Sequence, residues 1–109
     1  MDLWEKFTSL DIRMGRVVEV KRFLQAGPEA YCLIIGLGEE VGVRQAVTPL
    51  AKRYSPEQLL GKSVATLVNL PTKIEFGIEI SAVVLGVDML DGLVLLRPDV
   101  PVPVGSKIL

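Results

Sequence analysis

Few residues of this chain have side chains that carry out catalytic chemistry. None of the 109 residues is a histidine, which excludes Ser-His and Cys-His nucleophile pairs and imidazole ligands for a metal. The single cysteine, Cys32, lies in an apolar segment and is interpreted as a buried small hydrophobic residue. Asp88 and Asp91 flank a turn, where aspartate is favoured for backbone reasons. We therefore predict a protein that is not an enzyme and holds no cofactor or metal. An enzyme that uses buried carboxylates stays a nominal alternative.

One glycine-rich segment invites a phosphate-loop interpretation. Residues 36–42 read Gly-Leu-Gly-Glu-Glu-Val-Gly. The segment lacks a third glycine at the dinucleotide-binding spacing, no Gly-Lys-Ser/Thr follows it, and its two glutamates would repel an anion. We interpret it as a hairpin turn.

The side chains that remain for function are mainly cations. With 12 basic and 13 acidic residues the net charge is −1, which excludes a polybasic binder that depends on bulk positive charge. Basic residues nevertheless gather near the ends of the predicted strands and in the loops that follow them. They are Lys21, Arg22, Arg44, Lys52, Arg53 and Lys73. Because the chain has only six aromatic residues, shape recognition of a structured RNA is favoured over base stacking along a single strand.

Alternating hydrophobic residues predict the elements that position these cations. Residues 11–22 form a long strand with Ile12, Met14, Val18 and Val20 on one face. Further strands are predicted over 30–36, 43–47, 62–70 and 78–87, and Asp91-Gly92 makes a tight turn. A helical connection follows the third strand in two pieces, which begin at Thr48-Pro49 and at Ser55-Pro56. This order predicts an all-β, five-stranded OB-fold Greek-key barrel, with an SH3-like barrel or split sandwich as alternatives.

Both chain ends lie outside the predicted barrel, which covers about residues 10–87 of a single domain over 1–109. Asp2 is expected to cap a short helix that ends at Ser9, and the last 22 residues contain three prolines that favour an edge or an extended lid. We expect the extensions 1–9 and 88–109 to pair two copies of the chain; the alternative is that they close the barrel mouths. The predicted interface residues are Leu3, Trp4, Phe7, Val100, Val102, Val104 and Ile108.

The composition also bears on location. No apolar stretch approaches the roughly 20 residues needed to cross a bilayer, and the first residues show no signal-peptide pattern. One cysteine cannot form an internal disulfide. We expect a cytoplasmic protein without a membrane partner.

Several segments stand in an order that resembles a known family. They are Leu10–Val18, Gly42–Gln45, Lys52–Tyr54, Pro56–Leu59, Val68–Pro71, Val84–Gly86 and Val102–Lys107. Together they closely resemble the CsaA group of small tRNA-binding-domain proteins, whose domain is also appended to some methionyl- and tyrosyl-tRNA synthetases. The resemblance implies an OB-fold homodimer that binds tRNA by shape, and an export-related chaperone activity on unfolded or precursor proteins. A synthetase is a further implied partner.

The resemblance also suggests which residues would bind RNA. Arg44, Lys52, Arg53 and Lys73 are expected to contact phosphate, and Gln45, Tyr54 and Asn69 to supply hydrogen bonds or a stacking face. The chain departs from the family pattern at Ala46, Val47, Pro49, Ile80 and Ser81, and of these residues Ala46, Val47 and Ile80 are apolar and Pro49 is rigid where the family has polar groups. These changes favour an alternative function, the binding of apolar peptide segments as a chaperone or assembly module.

Overall fold

The structure, a computed structural model, describes residues 1–109 as nine strands, three short α-helices and one 3-10 helix (Leu24–Ala26). The strands and α-helices are α1 (Leu3–Thr8), β1 (Ile12–Arg22), β2 (Ala30–Gly36), α2 (Gly38–Val41), β3 (Val43–Pro49), α3 (Pro56–Leu59), β4 (Ser63–Leu67), β5 (Lys73–Glu75), β6 (Ile78–Ile80), β7 (Val83–Val84), β8 (Gly86–Met89) and β9 (Gly92–Leu95). None of these helices has the length and the apolar character needed to span a lipid bilayer.

Five strands form an antiparallel sheet in the order β3-β2-β1-β4-β7. The long strand β1 pairs with β4 through its first half and with β2 through its second half. The sheet curls until its two ends meet, where the Ser81 N–H donates to the Gln45 carbonyl at 2.9 Å. The Gln45 N–H in turn donates to Ser81 Oγ at 3.2 Å. This nearly closed barrel confirms the predicted OB-fold.

The core fills the barrel with aliphatic side chains from every strand of the sheet. The completely buried side chains include Val17, Leu33, Ile35 and Val64. Leu50, which directly follows β3, is also completely buried and belongs to the same core. Two further hairpins, β5–β6 and β8–β9, form separate two-stranded sheets, and Leu95 of β9 is buried in the core. The second hairpin has a tight turn as predicted, but the turn residues are Leu90 and Asp91, and Gly92 is the first residue of β9.

The predicted buried face of the first strand is wrong at Val18, whereas Val20 packs against the core as predicted. Val17 is completely buried, whereas Val18 is about half exposed. The register with β2 shifts between Val17 and Glu19, which is a β-bulge. Because a bulge inserts one unpaired residue, it reverses which side chains point inward, and simple alternation cannot anticipate it.

The predicted helix at Thr48-Pro49 is also wrong. Both residues continue β3, opposite Tyr31 and Ala30 of β2. Proline is compatible with this position because Pro49 is the last residue of a strand whose far edge lacks a ladder partner there. The second predicted helix is confirmed as α3, which Ser55 and Gln58 cap reciprocally.

Other predicted elements differ in detail. The glycine-rich connection 36–42 contains the single helical turn α2 instead of a plain hairpin turn. The predicted strand 78–87 is divided into β6, β7 and the start of β8. A Cβ at Gly86 would lie 2.6 Å from the Val94 carbonyl oxygen, so the chain bends where only glycine fits. The predicted N-terminal helix is confirmed as α1, which Asp2 caps.

Candidate nucleic-acid interface

Three of the predicted RNA-binding residues lie together in the turn between β3 and α3. The turn is closed by the Leu50 carbonyl, which accepts hydrogen bonds from the N–H groups of Arg53 at 3.1 Å and Tyr54 at 2.9 Å. The buried Tyr31 hydroxyl of β2 donates to the Tyr54 carbonyl at 2.8 Å. These bonds hold Lys52, Arg53 and Tyr54 against one mouth of the barrel.

Arg22, at the end of β1, joins this cluster. It lies opposite Tyr31 in the sheet, and its guanidinium carbon is 5.9 Å from the centre of the Tyr31 ring. A cleft of about 550 Å³ is lined by Arg22 and by the turn and first residues of α3, including Lys52, Arg53 and Tyr54. We call this the cationic cleft. From the sequence, Arg22 is a cation beside the first loop. Its position in the cationic cleft follows only from the pairing of β1 with β2, which sets Arg22 opposite Tyr31.

Acidic partners moderate the charge of the cationic cleft. Lys52 Nζ lies 3.6 Å from a Glu29 carboxylate oxygen, and Arg53 is paired with Asp91. Arg22 has no carboxylate partner. The Arg53 Nε is buried without a hydrogen-bond partner. Exposed ion pairs contribute only about 0–1 kcal/mol, so an incoming phosphate competes for these cations at small cost.

Lys73 lies apart from the cationic cleft. It lines a smaller cleft of about 290 Å³ between β3, the β5–β6 hairpin and β7, together with Ile80. Its Nζ is 2.7 Å from a Glu75 carboxylate oxygen. The structure therefore does not bring Lys73 together with Lys52 and Arg53 in one cleft.

The remaining predicted RNA-binding residues line neither cleft and bond within the protein. Arg44 Nη1 donates to the carbonyls of Val41 at 2.8 Å and Val43 at 3.3 Å. Gln45 Nε2 donates to the Glu79 carbonyl at 2.8 Å, which holds the β5–β6 hairpin on β3.

Asn69 joins the start of β1 to the loop after β4. Its Oδ1 accepts from the Asp11 N–H at 2.9 Å, and its Nδ2 donates to the Ser9 carbonyl at 2.7 Å. The side chains of Arg44, Gln45 and Asn69 thus make intramolecular hydrogen bonds that stabilise the barrel.

The positions that depart from the family pattern surround a more apolar region. Ala46 is in the core, and Ser81 closes the barrel. Val47 and Pro49 line a cleft of about 490 Å³ between the loop 26–30 and Phe76. Phe76 has a φ of +55°, which is unusual for a non-glycine residue, and its ring meets Phe23 edge to face at 5.9 Å.

The terminal helix presents an exposed apolar surface. Leu3 and Trp4 are each 80% exposed and Phe7 is 52% exposed. These three side chains line a shallow cleft of about 410 Å³. A neighbouring cleft of about 200 Å³ connects Phe7 with Ile108 and other residues of the C-terminus. Of the other predicted interface residues, Val100 is exposed, and Val102 and Val104 are half-buried.

The cysteine predicted to be structural is buried. Cys32 is 5% exposed, and burial raises the pKa of its thiol. Both effects disfavour the reactive thiolate.

Comparison with known sequences identifies the family. The family described as "Putative tRNA binding domain" matches residues 12–107. The chain belongs to this family. Among its relatives, this tRNA-binding-domain protein is 40% identical over 106 residues to a methionine–tRNA ligase of Methanothrix thermoacetophila and 38% identical over 105 residues to that of Pyrococcus horikoshii. Each match covers 96% of this chain but only 15% and 14% of the two ligases.

Solved structures match the tRNA-binding-domain protein over its whole length. The chaperone CsaA from Bacillus anthracis superposes with a TM-score of 0.89 and 38% identity, covering 99% of this chain and 98% of that one. The CsaA chaperone protein from Picrophilus torridus gives a TM-score of 0.88 with 31% identity and complete coverage of both chains. A methionyl-tRNA-synthetase-related protein from Pyrococcus horikoshii gives 0.82 with 27% identity, again with complete coverage.

Proposed function

We propose that this protein binds tRNA without catalysis, as a cytoplasmic homodimer that recognises structured RNA by its shape and phosphates. The observation that carries the proposal is the cationic cleft, where Arg22, Lys52 and Arg53 converge beside the Tyr54 ring. The family match supports tRNA as the polyanion that this cleft receives. Because the net charge is only −1, affinity must come from such a local cluster and not from the whole surface.

In this proposal Arg22 is added to the predicted RNA-binding residues, and the enlarged set divides into two groups. Arg22, Lys52 and Arg53 contact phosphate, and Tyr54 offers its ring to an unstacked base or a ribose. Lys73 makes an outlying phosphate contact from the β5–β6 hairpin. Arg44, Gln45 and Asn69 support the scaffold instead, because their side chains already bond within the protein.

The homodimer in the proposal is supported by the apolar surface of α1. In a monomer, Leu3, Trp4 and Phe7 stay exposed to water. Exposing three large apolar side chains is unfavourable in free energy. Packing these side chains against a second copy removes this unfavourable exposure. The dimer then presents two cationic clefts, one on each subunit, to a single folded RNA. If each subunit neutralises about three phosphates, the log–log slope of affinity against salt is about −5.

The test is a fluorescence anisotropy titration of labelled tRNA at several salt concentrations. The triple variant R22Q/K52Q/R53Q is compared with the control R16Q/K62Q/R97Q, which removes three exposed cations that line none of the clefts described above. We expect the first variant to bind at least tenfold more weakly with a slope closer to zero, and the control to bind nearly as the wild type. Equal losses in both variants, or a flat salt dependence of the wild type, would contradict the proposal.

A second candidate function is the binding of apolar peptide segments, either as a chaperone or in assembly with an aminoacyl-tRNA synthetase. The cleft lined by Val47, Pro49 and Phe76 favours it, as do the matches to two CsaA chaperones. This function predicts salt-insensitive binding of a labelled apolar peptide that F76S weakens and tRNA does not displace. If tRNA competes and F76S has no effect, the peptide function fails.

A further inference from the structure

The C-terminal strap, residues 104–108, lies along the first half of β1 on the side that β4 leaves free. The Met14 N–H donates to the Ser106 carbonyl at 2.8 Å, and the Gly105 N–H donates back to the Met14 carbonyl at 2.7 Å. The Ile108 N–H donates to the Ile12 carbonyl at 2.8 Å. Three backbone hydrogen bonds therefore join the strap to the barrel.

The strap is also pressed against the turn before α2. Gly105 has a φ of +87°, and a Cβ at this position would lie 2.6 Å from the Leu37 carbonyl oxygen. A Cβ at Gly38 would lie 3.3 Å from the Val104 carbonyl oxygen. The two glycines allow backbones to meet directly, so the strap fills the space between β1 and this turn.

One side chain contacts all three segments that meet here. Arg13 Nε donates to Asp11 at 2.9 Å, while Nη1 and Nη2 each donate to a different carboxylate oxygen of Glu40 in α2 at 3.2 Å. Nη1 also approaches the Gly105 carbonyl of the strap at 3.5 Å. The Arg13 side chain is only 12% exposed. Such a forked arginine–carboxylate pair is geometrically specific as well as strong.

We propose that Arg13 is a positioning residue that clamps the C-terminal strap to β1 and α2, and thereby holds the strap in place as part of the dimer surface. The strap carries Ile108, whose side chain lines the cleft that also includes Phe7 of α1. Releasing the strap would remove one wall of this apolar surface. The second half of this inference rests on the proposed homodimer, whereas the clamp itself does not.

The experiment compares R13Q, R13K and E40Q with the control R16Q, an exposed arginine on the same strand. Hydrogen–deuterium exchange of the Gly105 and Ile108 amides reports on the strap, and sedimentation analysis reports the dimer dissociation constant. We expect R13Q to speed exchange of these amides at least tenfold, with amides of β2 unchanged, and to raise the dissociation constant at least tenfold. R13K should not restore the clamp because an ammonium cannot pair with Glu40 in a fork.

Each possible outcome bears on one part of the inference. Unchanged exchange in R13Q and E40Q overturns the clamp. Faster exchange with an unchanged dissociation constant overturns its role in the interface. A wild-type chain that is monomeric at every concentration overturns the homodimer, and the exchange measurement then tests the clamp alone. If R13Q fails to fold, E40Q decides, because Glu40 is exposed and its replacement removes only the negative charge and one of the two oxygens that accept from Arg13.

Discussion

The hydroxyl of Tyr31 donates a 2.8 Å hydrogen bond to the main-chain carbonyl of Tyr54. Tyr31 belongs to β2 and is almost completely buried, whereas Tyr54 ends the turn that carries Lys52 and Arg53. The proposed RNA-binding turn is thus fixed from inside the barrel. This bond links core packing to the position of the surface cations.

Y31F is therefore expected to affect both stability and binding. Removing the hydroxyl leaves the Tyr54 carbonyl without its donor, so the free energy of unfolding should fall by about 1–2 kcal/mol. The looser turn should also weaken tRNA binding severalfold. Urea denaturation and anisotropy titration measure the two effects.

Y54F is the matched control for this prediction. It removes the hydroxyl that accepts from the Leu95 N–H at 3.2 Å but keeps the ring and the bond between Tyr31 and the turn. Its stability should fall by a similar amount while RNA affinity stays near that of the wild type. A larger loss of affinity in Y54F than in Y31F would contradict this account.

A steric prediction concerns Gly15, in the first half of β1. A Cβ there would lie 2.4 Å from Ile35 Cγ2 and 3.0 Å from Leu37 Cδ2, and both of these side chains are buried in the core. Because a β-branched isoleucine has little freedom to move aside, G15A should lower the free energy of unfolding by about 1–3 kcal/mol. Thermal or urea denaturation measures the change.

Gly36 provides the control for this substitution. It is also a strand residue, but its added Cβ would face the half-exposed Val18, whose nearest atom is 3.4 Å away. G36A should therefore be close to neutral. If both alanine variants lose the same stability, the effect reflects strand propensity and not overpacking.

A pH prediction follows from the clamp. The hydrogen bond from Arg13 lowers the pKa of Glu40, and the nearby charges of Arg13 and Lys107 lower it further, whereas Asp11 opposes them. Because the pKa of Glu40 is lower in the folded state, its stabilising effect is present at neutral pH. This stabilising effect decreases once the pH is below about 4.3, the ordinary pKa of glutamate, and is lost as the pH falls through the lower pKa that Glu40 has in the folded state.

Urea midpoints measured between pH 7 and pH 3 test this prediction. E40Q should be less stable than the wild type at pH 7, and the difference should shrink as the pH falls. E39Q is the control, because Glu39 forms no ion pair, and it should match the wild type throughout. A wild-type advantage over E40Q that persists unchanged at pH 3 would contradict the pKa assignment.

Local patterns in the sequence were sufficient to predict the barrel. Alternation located the principal strands, and the caps at Asp2 and Ser55 located α1 and α3. The inward position predicted for Val18 is wrong because the bulge after Val17 depends on how two strands pair. The pattern around Pro49 was misread because a proline near a strand end resembles one at a helix start.

The candidate site could be predicted only in part. Lys52, Arg53 and Tyr54 are neighbours in the chain, so their clustering needed no tertiary information. Arg22 is 30 residues from Lys52, and only the pairing of β1 with β2 brings it to the same mouth. The sequence predicts that the Gln45 side chain is free to bind a ligand, but it donates to the Glu79 carbonyl on the β5–β6 hairpin, which no local pattern predicts.

The single tryptophan provides a direct test of the homodimer. Trp4 is 80% exposed in an isolated chain, and a second copy packed on α1 would take it out of water. Its fluorescence emission should therefore shift to shorter wavelength as the protein concentration rises through the dimer dissociation constant. The variant L3K/F7K keeps Trp4 but places two like charges on the surface, so it should sediment as a monomer with long-wavelength emission at every concentration. The control K6Q changes a charge on the same helix and should behave as the wild type. Concentration-independent emission in the wild type, together with a monomeric mass, would show that α1 does not pair two chains.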